Sequence, residues 1–254
     1  SGEYSYLCAA GLSFIFLVAL NKFLREKKYF HINKTIEPNL LKYLDLVMIG
    51  TVCDVVPLVD LNRAFVKQGL KVFSERQNLG LKTLSDISEI DHQCTSKDIG
   101  FTIGPKINAA GRIGESSLAV NLLLSNDPEY VYSVAKKLHE LNLKRKNIEK
   151  IILEEAILEA EKQKNSSVLV LSNKEWHEGV TGIIASRIKD LYNKPTIVIS
   201  VNGDLAKGSA RSINGFDIGI AIIQMQQKKI IVKGGGHSMA GGFSLKTENI
   251  VIFK

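Results

Sequence analysis

The chain has 254 residues, 45% hydrophobic and 23% charged, which excludes a disordered tail or a collagen-like fibre and allows one large domain or two ordinary ones. Its three cysteines, Cys8, Cys53 and Cys94, are far apart and form no CxxC, so no disulfide framework is expected and a reducing, cytoplasmic setting suits them. A net charge of +7 favours, weakly, a polyanionic partner.

Residues 7–20 are nearly all apolar. The run is short of the roughly 20 residues that a spanning helix needs. Its positive charges (Lys22, Arg25, Lys27, Lys28) follow it, whereas a signal peptide carries them in front. A buried helix over 7–28 is expected, with no membrane association. The sequence starts at Ser1, as would a fragment, a processed product or half of a split gene. Helices are predicted over 40–50 and 62–73, the latter from Phe65, Val66, Leu70 and Phe73 at helical spacing. Two short helices, 83–87 and 96–103, flank a polar connection.

Asp127-Pro128 is a helix start signal. Val134, Leu138, Leu141, Ile148 and Ile152 then keep helical spacing, with Arg145 on the same stripe, to about Gln163. Such a helix spans on the order of 50 Å at 1.5 Å per residue. Its narrow apolar stripe suits a connector between two bodies. Beyond it, apolar strands (167–171, 196–201), a strand or turn (206–212), helices (180–192, 216–226) and a strand starting at 243 alternate. The expected fold is α/β: two α/β bodies, residues 1–126 and 165–254, joined by a long helix over 127–164.

There is no P-loop, HExxH or G-x-S-x-G elbow, and the five histidines are scattered. Four segments are richer than a core requires. In GTVCDVVPL (50–58), Asp54 interrupts an apolar run. A buried carboxylate needs a partner or a metal, and the plainer reading is a helix or turn cap. GPKINAAGR (104–112) reads as a small-residue loop that lets a ligand approach, with Lys106 and Arg112 for phosphate, or as a tight loop with a solvated Arg. In WHEGVTGIIASR (176–187) a polar turn opens a helix whose N–H groups could meet an anion, with Trp176 as a stacking platform or simply a packed Trp. KGSARS (207–212) supplies two cations and two hydroxyls, and GGGHSMAGG (234–242) could form an anion-binding nest or a flexible turn.

Taken in order, GTVCDVVPL with LNRAFVKQGL, IGPKINAAGR with SLAVNLLL, EWHEGVTGIIASRI with KPTIVIS, KGSARS and GGGHSMAGGFSL resemble the RecJ family of single-strand-specific exonucleases, within the DHH phosphoesterase superfamily. The GGGH loop indicates only the superfamily, whereas NAAGR and WHEGVTGIIASR are more specific. The resemblance implies a 5′-to-3′ exonuclease that hydrolyses single-stranded DNA with two Mn²⁺ or Mg²⁺ ions. It implies that Asp54 is one metal ligand, that Arg112 contacts phosphate, and that Ser209, Arg211 and Ser212 bind the 5′-terminal phosphate. Gly235, Gly236 and His237 match the loop that grips the substrate backbone, and Asn108, Trp176 and His177 lie on the cleft side.

The family's Asp-x-Asp motif, a further Asp and the Asp-His-His signature are not in this sequence. Asp91-His92-Gln93 follows Asp54 and lacks the second His. The oligonucleotide-binding OB domain is not here either. The chain is therefore expected to be the C-terminal part of the catalytic core, inactive alone. The alternative is a non-catalytic single-stranded nucleic-acid-binding module, or the partner subunit of a separate N-terminal DHH half. A superfamily oligoribonuclease is permitted by GGGH but disfavoured by NAAGR and the long connector.

Overall fold

A computed structural model describes Gly2 and residues 4–254. They form two compact units: one runs to Ala110 and resumes over Gly114–Asn142, and the other comprises Gly111–Ile113 and Leu143–Lys254.

In the first unit the regular elements are helical among the described residues. They are α1 (Ala9–Glu26), α2 (Tyr29–Ile32), a 3-10 turn (Leu40–Tyr43), α3 (Leu44–Cys53), α4 (Asp60–Ser74), α5 (Leu79–Ile87), α6 (Ser96–Asp98), a π turn (Ile99–Ile103), α7 (Gly104–Ile113), α8 (Ser117–Leu124) and the start of α9 (Pro128–Lys162). Met48, Leu84, Ile99, Ile103, Leu122 and Leu138 are fully buried in its core. The apolar residues recur at helical spacing, so helices alone bury them. Helix α5 starts four residues before the predicted 83 because the Asn78 side chain accepts from the Leu81 N–H at 3.0 Å.

Two expectations change here. Helix α1 buries Gly11 and Phe14, with Phe14 edge-on to Phe65 at 5.5 Å, but leaves Leu12, Phe16, Val18 and Phe23 exposed. It is thus not the fully buried helix expected, since α3 and α4 cover only one of its stripes. No helix among the described residues is long and apolar enough to cross a membrane. Residues 104–112 form helix rather than loop. Pro105 sits in the first turn, where its missing N–H costs nothing, and the small Ala109 and Ala110 are fully buried.

The second unit holds all five strands among the described residues: β1 (Leu169–Asn173), β2 (Thr196–Asn202), β3 (Leu205–Arg211), β4 (Lys233–His237) and β5 (Ala240–Lys246). Helix α10 (Glu178–Tyr192) connects β1 to its parallel neighbour β2, α11 (Ile218–Gln227) lies between β3 and β4, and α12 (Ile250–Phe253) follows β5. The sheet order is β1-β2-β3-β5-β4, antiparallel after the first pair. Alternation along the strands makes two cores. Leu169, Leu171 and Val198 pack with α10 (Val180, Ile184, Ile188) and the end of α9 (Ile152, Ala156, Ala160). Ile197, Ile199, Ala206, Ala210, Phe243 and Leu245 pack with Ile218 and Ile222 of α11.

On β3, Gly208 faces this second core. A Cβ there would lie 2.2 Å from the Phe243 ring, so only glycine admits the ring. The Gly-rich segment 234–242, expected as an anion-binding nest or a flexible turn, is instead mostly strand, in β4 (Lys233–His237) and the start of β5. Strand β4 pairs with β5 from Lys233↔Ser244 to His237↔Ala240. Glycine has low strand propensity, but here ladder bonds and close packing against α11 override it.

A candidate phosphate-binding cleft

The candidate site lies wholly in the second unit, on the sheet face that α10 covers only over β1–β3. Cross-strand partners share a face, so the register sets out three rows across β3, β5 and β4. These are Lys207–Ser244–Lys233, Ser209–Gly242–Gly235 and Arg211–Ala240–His237. The first row carries two ammonium groups around a hydroxyl. The second is nearly bare backbone. The third ends in a guanidinium and an imidazole.

A cavity of about 500 Å³ opens over this face, lined among others by Gly111, Arg112, Gly179, Lys207, Ser209 and Gly235. Its size suits a small number of nucleotides. A Cβ on Gly235 would meet nothing within 4 Å, so the backbone there borders open space. Ser209 Oγ and Thr181 Oγ1 are 3.0 Å apart, joining β3 to the first turn of α10. Lys207 Nζ is 2.8 Å from Glu178, and both are largely exposed, so this pair is weakly held and available for exchange.

Arg112 closes the other side. Its Nη1 donates to the Gly179 carbonyl at 3.2 Å, and a Cβ on Gly179 would lie 2.0 Å from the Arg112 carbonyl oxygen. Arg211 reaches toward Gly182, and its Nη1 donates to the Ala210 carbonyl at 2.8 Å. Burial, then the neighbouring Arg145 and Arg211, push the Arg112 pKa down, and burial does the same to Arg211. Both stay charged at any ordinary pH. Guanidiniums of like charge near one another favour an anion between them, and the planar fork fits a phosphate.

The predicted residues divide accordingly. Arg112, Ser209, Arg211 and Gly235 meet at this face, with His237 at the edge of the third row. Gly236 packs against the β5 backbone, 2.4 Å from the Ala240 oxygen to a hypothetical Cβ. Ser212 is buried, and its hydroxyl donates to the Phe216 carbonyl at 2.6 Å, tying down the turn after β3. His177 caps α10, its Nδ1 accepting from the Gly179 N–H at 3.0 Å. Trp176 is only 4% exposed, with Nε1 donating to Glu155 at 2.7 Å, so it is a packed Trp and not a stacking platform. Asn108 is exposed on α7, in the first unit. Lys106 is buried there, its Nζ 2.5 Å from Ser88 Oγ.

Lys233 and Ser244 were not singled out by sequence, because strand pairing brings them to the site, whereas Gly179 and Thr181 belong to the helix-opening segment 176–187 that the sequence did mark.

Asp54 is not buried. It caps the C-terminus of α3 and is exposed. The described residues hold no group of three or more His, Cys, Asp or Glu that could bind a metal ion. The residues present do not fit a two-metal centre.

Residues 165–251 match the DHHA1 domain model. Over 98% of its length the chain is 39% identical to the single-stranded-DNA-specific exonuclease RecJ of Salmonella typhimurium, and 37% identical to that of Escherichia coli. This chain is a RecJ homologue. It spans 45% of the length of each of those two RecJ proteins. It superposes on RecJ of Thermus thermophilus in complex with Mg²⁺ with a TM-score of 0.76 and 30% identity, covering 88% of this chain and 34% of that one. An exonuclease RecJ structure bound to manganese gives a TM-score of 0.74 at 31% identity, with 55% of that chain covered. The cleft residues Gly179, Thr181, Lys207, Ser209 and Gly235 all fall inside the DHHA1 match, and Arg112 falls in the RecJ-like region before it.

Proposed function

We propose that this chain supplies the strand-gripping part of a RecJ-type exonuclease, which removes nucleotides from the 5′ end of single-stranded DNA. The observation that carries this is the cleft itself. Arg112, Lys207, Lys233 and Arg211 border a bare backbone row at Gly242 and Gly235, a surface that accepts phosphodiester groups without reading bases. Arg211 and Ser209 hold the 5′-terminal phosphate, Arg112 the next phosphate, and Gly235 lets the strand lie close to the sheet. Lys207 releases Glu178 to meet the incoming charge. Asp54 is a single carboxylate offered to a divalent-metal site whose other ligands are supplied from outside this chain. Hydrolysis belongs to that complete protein, and the chain alone binds without cutting.

The reading is tested in the complete exonuclease by Arg211→Ala. Preference for 5′-phosphorylated over 5′-hydroxyl strands should fall about tenfold or more, as expected on losing a charge-assisted phosphate contact of about 1.5–3 kcal/mol. An unchanged preference removes Arg211 from this role.

A further inference from the structure

The second unit carries another cationic cavity, separate from the cleft. It measures about 350 Å³ and is lined by Arg145, Lys146, Glu149, Lys150, Leu153, Ile183 and Arg187, from α9 and α10. Its organiser is Glu149. This carboxylate is 5% exposed and sits 2.6 Å from the guanidinium of Arg145 on one oxygen and 2.6 Å from that of Arg187 on the other. One buried carboxylate between two guanidiniums orients both forks while leaving the group cationic. The Arg187 side chain is 58% exposed. Lys146 and Lys150, one helical turn apart on α9, add two exposed ammonium groups on the rim. Four cations against one carboxylate leave the cavity strongly positive.

Arg112, in the cleft, feels Arg145 and the opposing Glu149 of the second cavity as well as Arg211 on the sheet, after the larger effect of its own burial.

We propose that the Arg145–Glu149–Arg187 cavity, with Lys146 and Lys150, is a second phosphodiester-binding site that holds the nucleotides of a single strand beyond those in the cleft. It rests on the reading of the cleft as a strand-binding surface. Preorganised Arg187 supplies directional contacts to a phosphate, and the lysines supply mobile charge.

The test compares the full chain with the Lys146→Ala/Lys150→Ala variant, both lysines being exposed and dispensable for folding. Binding is measured by fluorescence anisotropy across a salt series, with a 5′-phosphorylated dithymidylate confined to the cleft and with an oligothymidylate long enough to reach both cavities. The variant should bind the long strand more weakly, with a log–log salt slope shallower by about 1.4, since each single-strand phosphate neutralised contributes about 0.7. Its affinity for the dinucleotide should not change. An unaltered long-strand affinity and slope, in a protein that still loses binding on Lys207→Ala, overturns the second site and leaves the cleft standing. Failure of the wild-type chain to bind either ligand at low salt overturns both.

Discussion

Gly235 and Gly236 are neighbours on β4 with opposite surroundings. A Cβ on Gly235 would meet no atom within 4 Å, whereas one on Gly236 would lie 2.4 Å from the Ala240 carbonyl oxygen and 2.6 Å from the Gly241 Cα. The Ala240 and Gly241 backbone is held in the β4–β5 ladder and has no room to yield. Gly236→Ala should therefore destabilise the unit by about 1–3 kcal/mol, the usual cost of overpacking. Gly235→Ala should leave stability within about 0.5 kcal/mol while placing a methyl group on the cleft floor and weakening strand binding. Urea unfolding and strand binding on the two variants should separate cleanly. Equal loss of stability in both would mean that the Gly235 side is not open.

Trp176 offers a similar separation of roles. Its indole N–H donates to Glu155 Oε2, whose other contact is Asn173 Nδ2 at the longer distance of 3.4 Å. Trp176→Phe keeps a ring but drops the donor beside a partly buried carboxylate. A loss of about 1–3 kcal/mol in unfolding free energy is expected, with single-strand affinity unchanged once folding is accounted for. A selective loss of strand affinity at full stability would restore a stacking role for this Trp.

His92 gives a pH-dependent prediction. Its Nε2 lies 3.1 Å from Asp98 and its Nδ1 3.4 Å from Asp91, and these carboxylates raise its pKa above the ordinary 6.5, Asp98 most. A raised value means that the pairing contributes below the ordinary histidine range and fades as pH rises through the folded value. The His92 ring-proton titration followed by NMR should have its midpoint above 6.5, and Asp98→Asn should bring it down. A midpoint at or below the ordinary value would show that the two contacts are not kept in solution.

The elements were legible where periodicity was strong. Val134, Leu138 and Ile152 foretold α9, and the apolar run at 196–201 foretold β2, which ends one residue later at Asn202. They were illegible where packing overrode propensity. Gly234–Gly236 read as a loop from composition, yet ladder pairing makes it strand. Residues 104–112 read as a loop from their small side chains, yet these are small because they are buried in helix contacts. Candidate site chemistry was legible at Arg112, Ser209 and Arg211, whose residue types suit phosphate. Lys233 and Ser244 escaped because they enter the site only through register with Lys207. Asp54 was read as interrupting a buried run, but its helix ends there, and the chain turns the carboxylate to solvent.

On the reading proposed above, the β3–β5–β4 face grips a single strand by its phosphates. The most direct measurement is the affinity of the full chain for a 5′-phosphorylated single-stranded oligonucleotide across a salt series, beside the Lys207→Ala/Arg211→Ala variant. Salt-sensitive binding by the wild type is expected, with a slope shallower by about 1.4 in the variant, from two lost phosphate contacts. Wild-type and variant curves that coincide, or no wild-type binding at low salt, would contradict it.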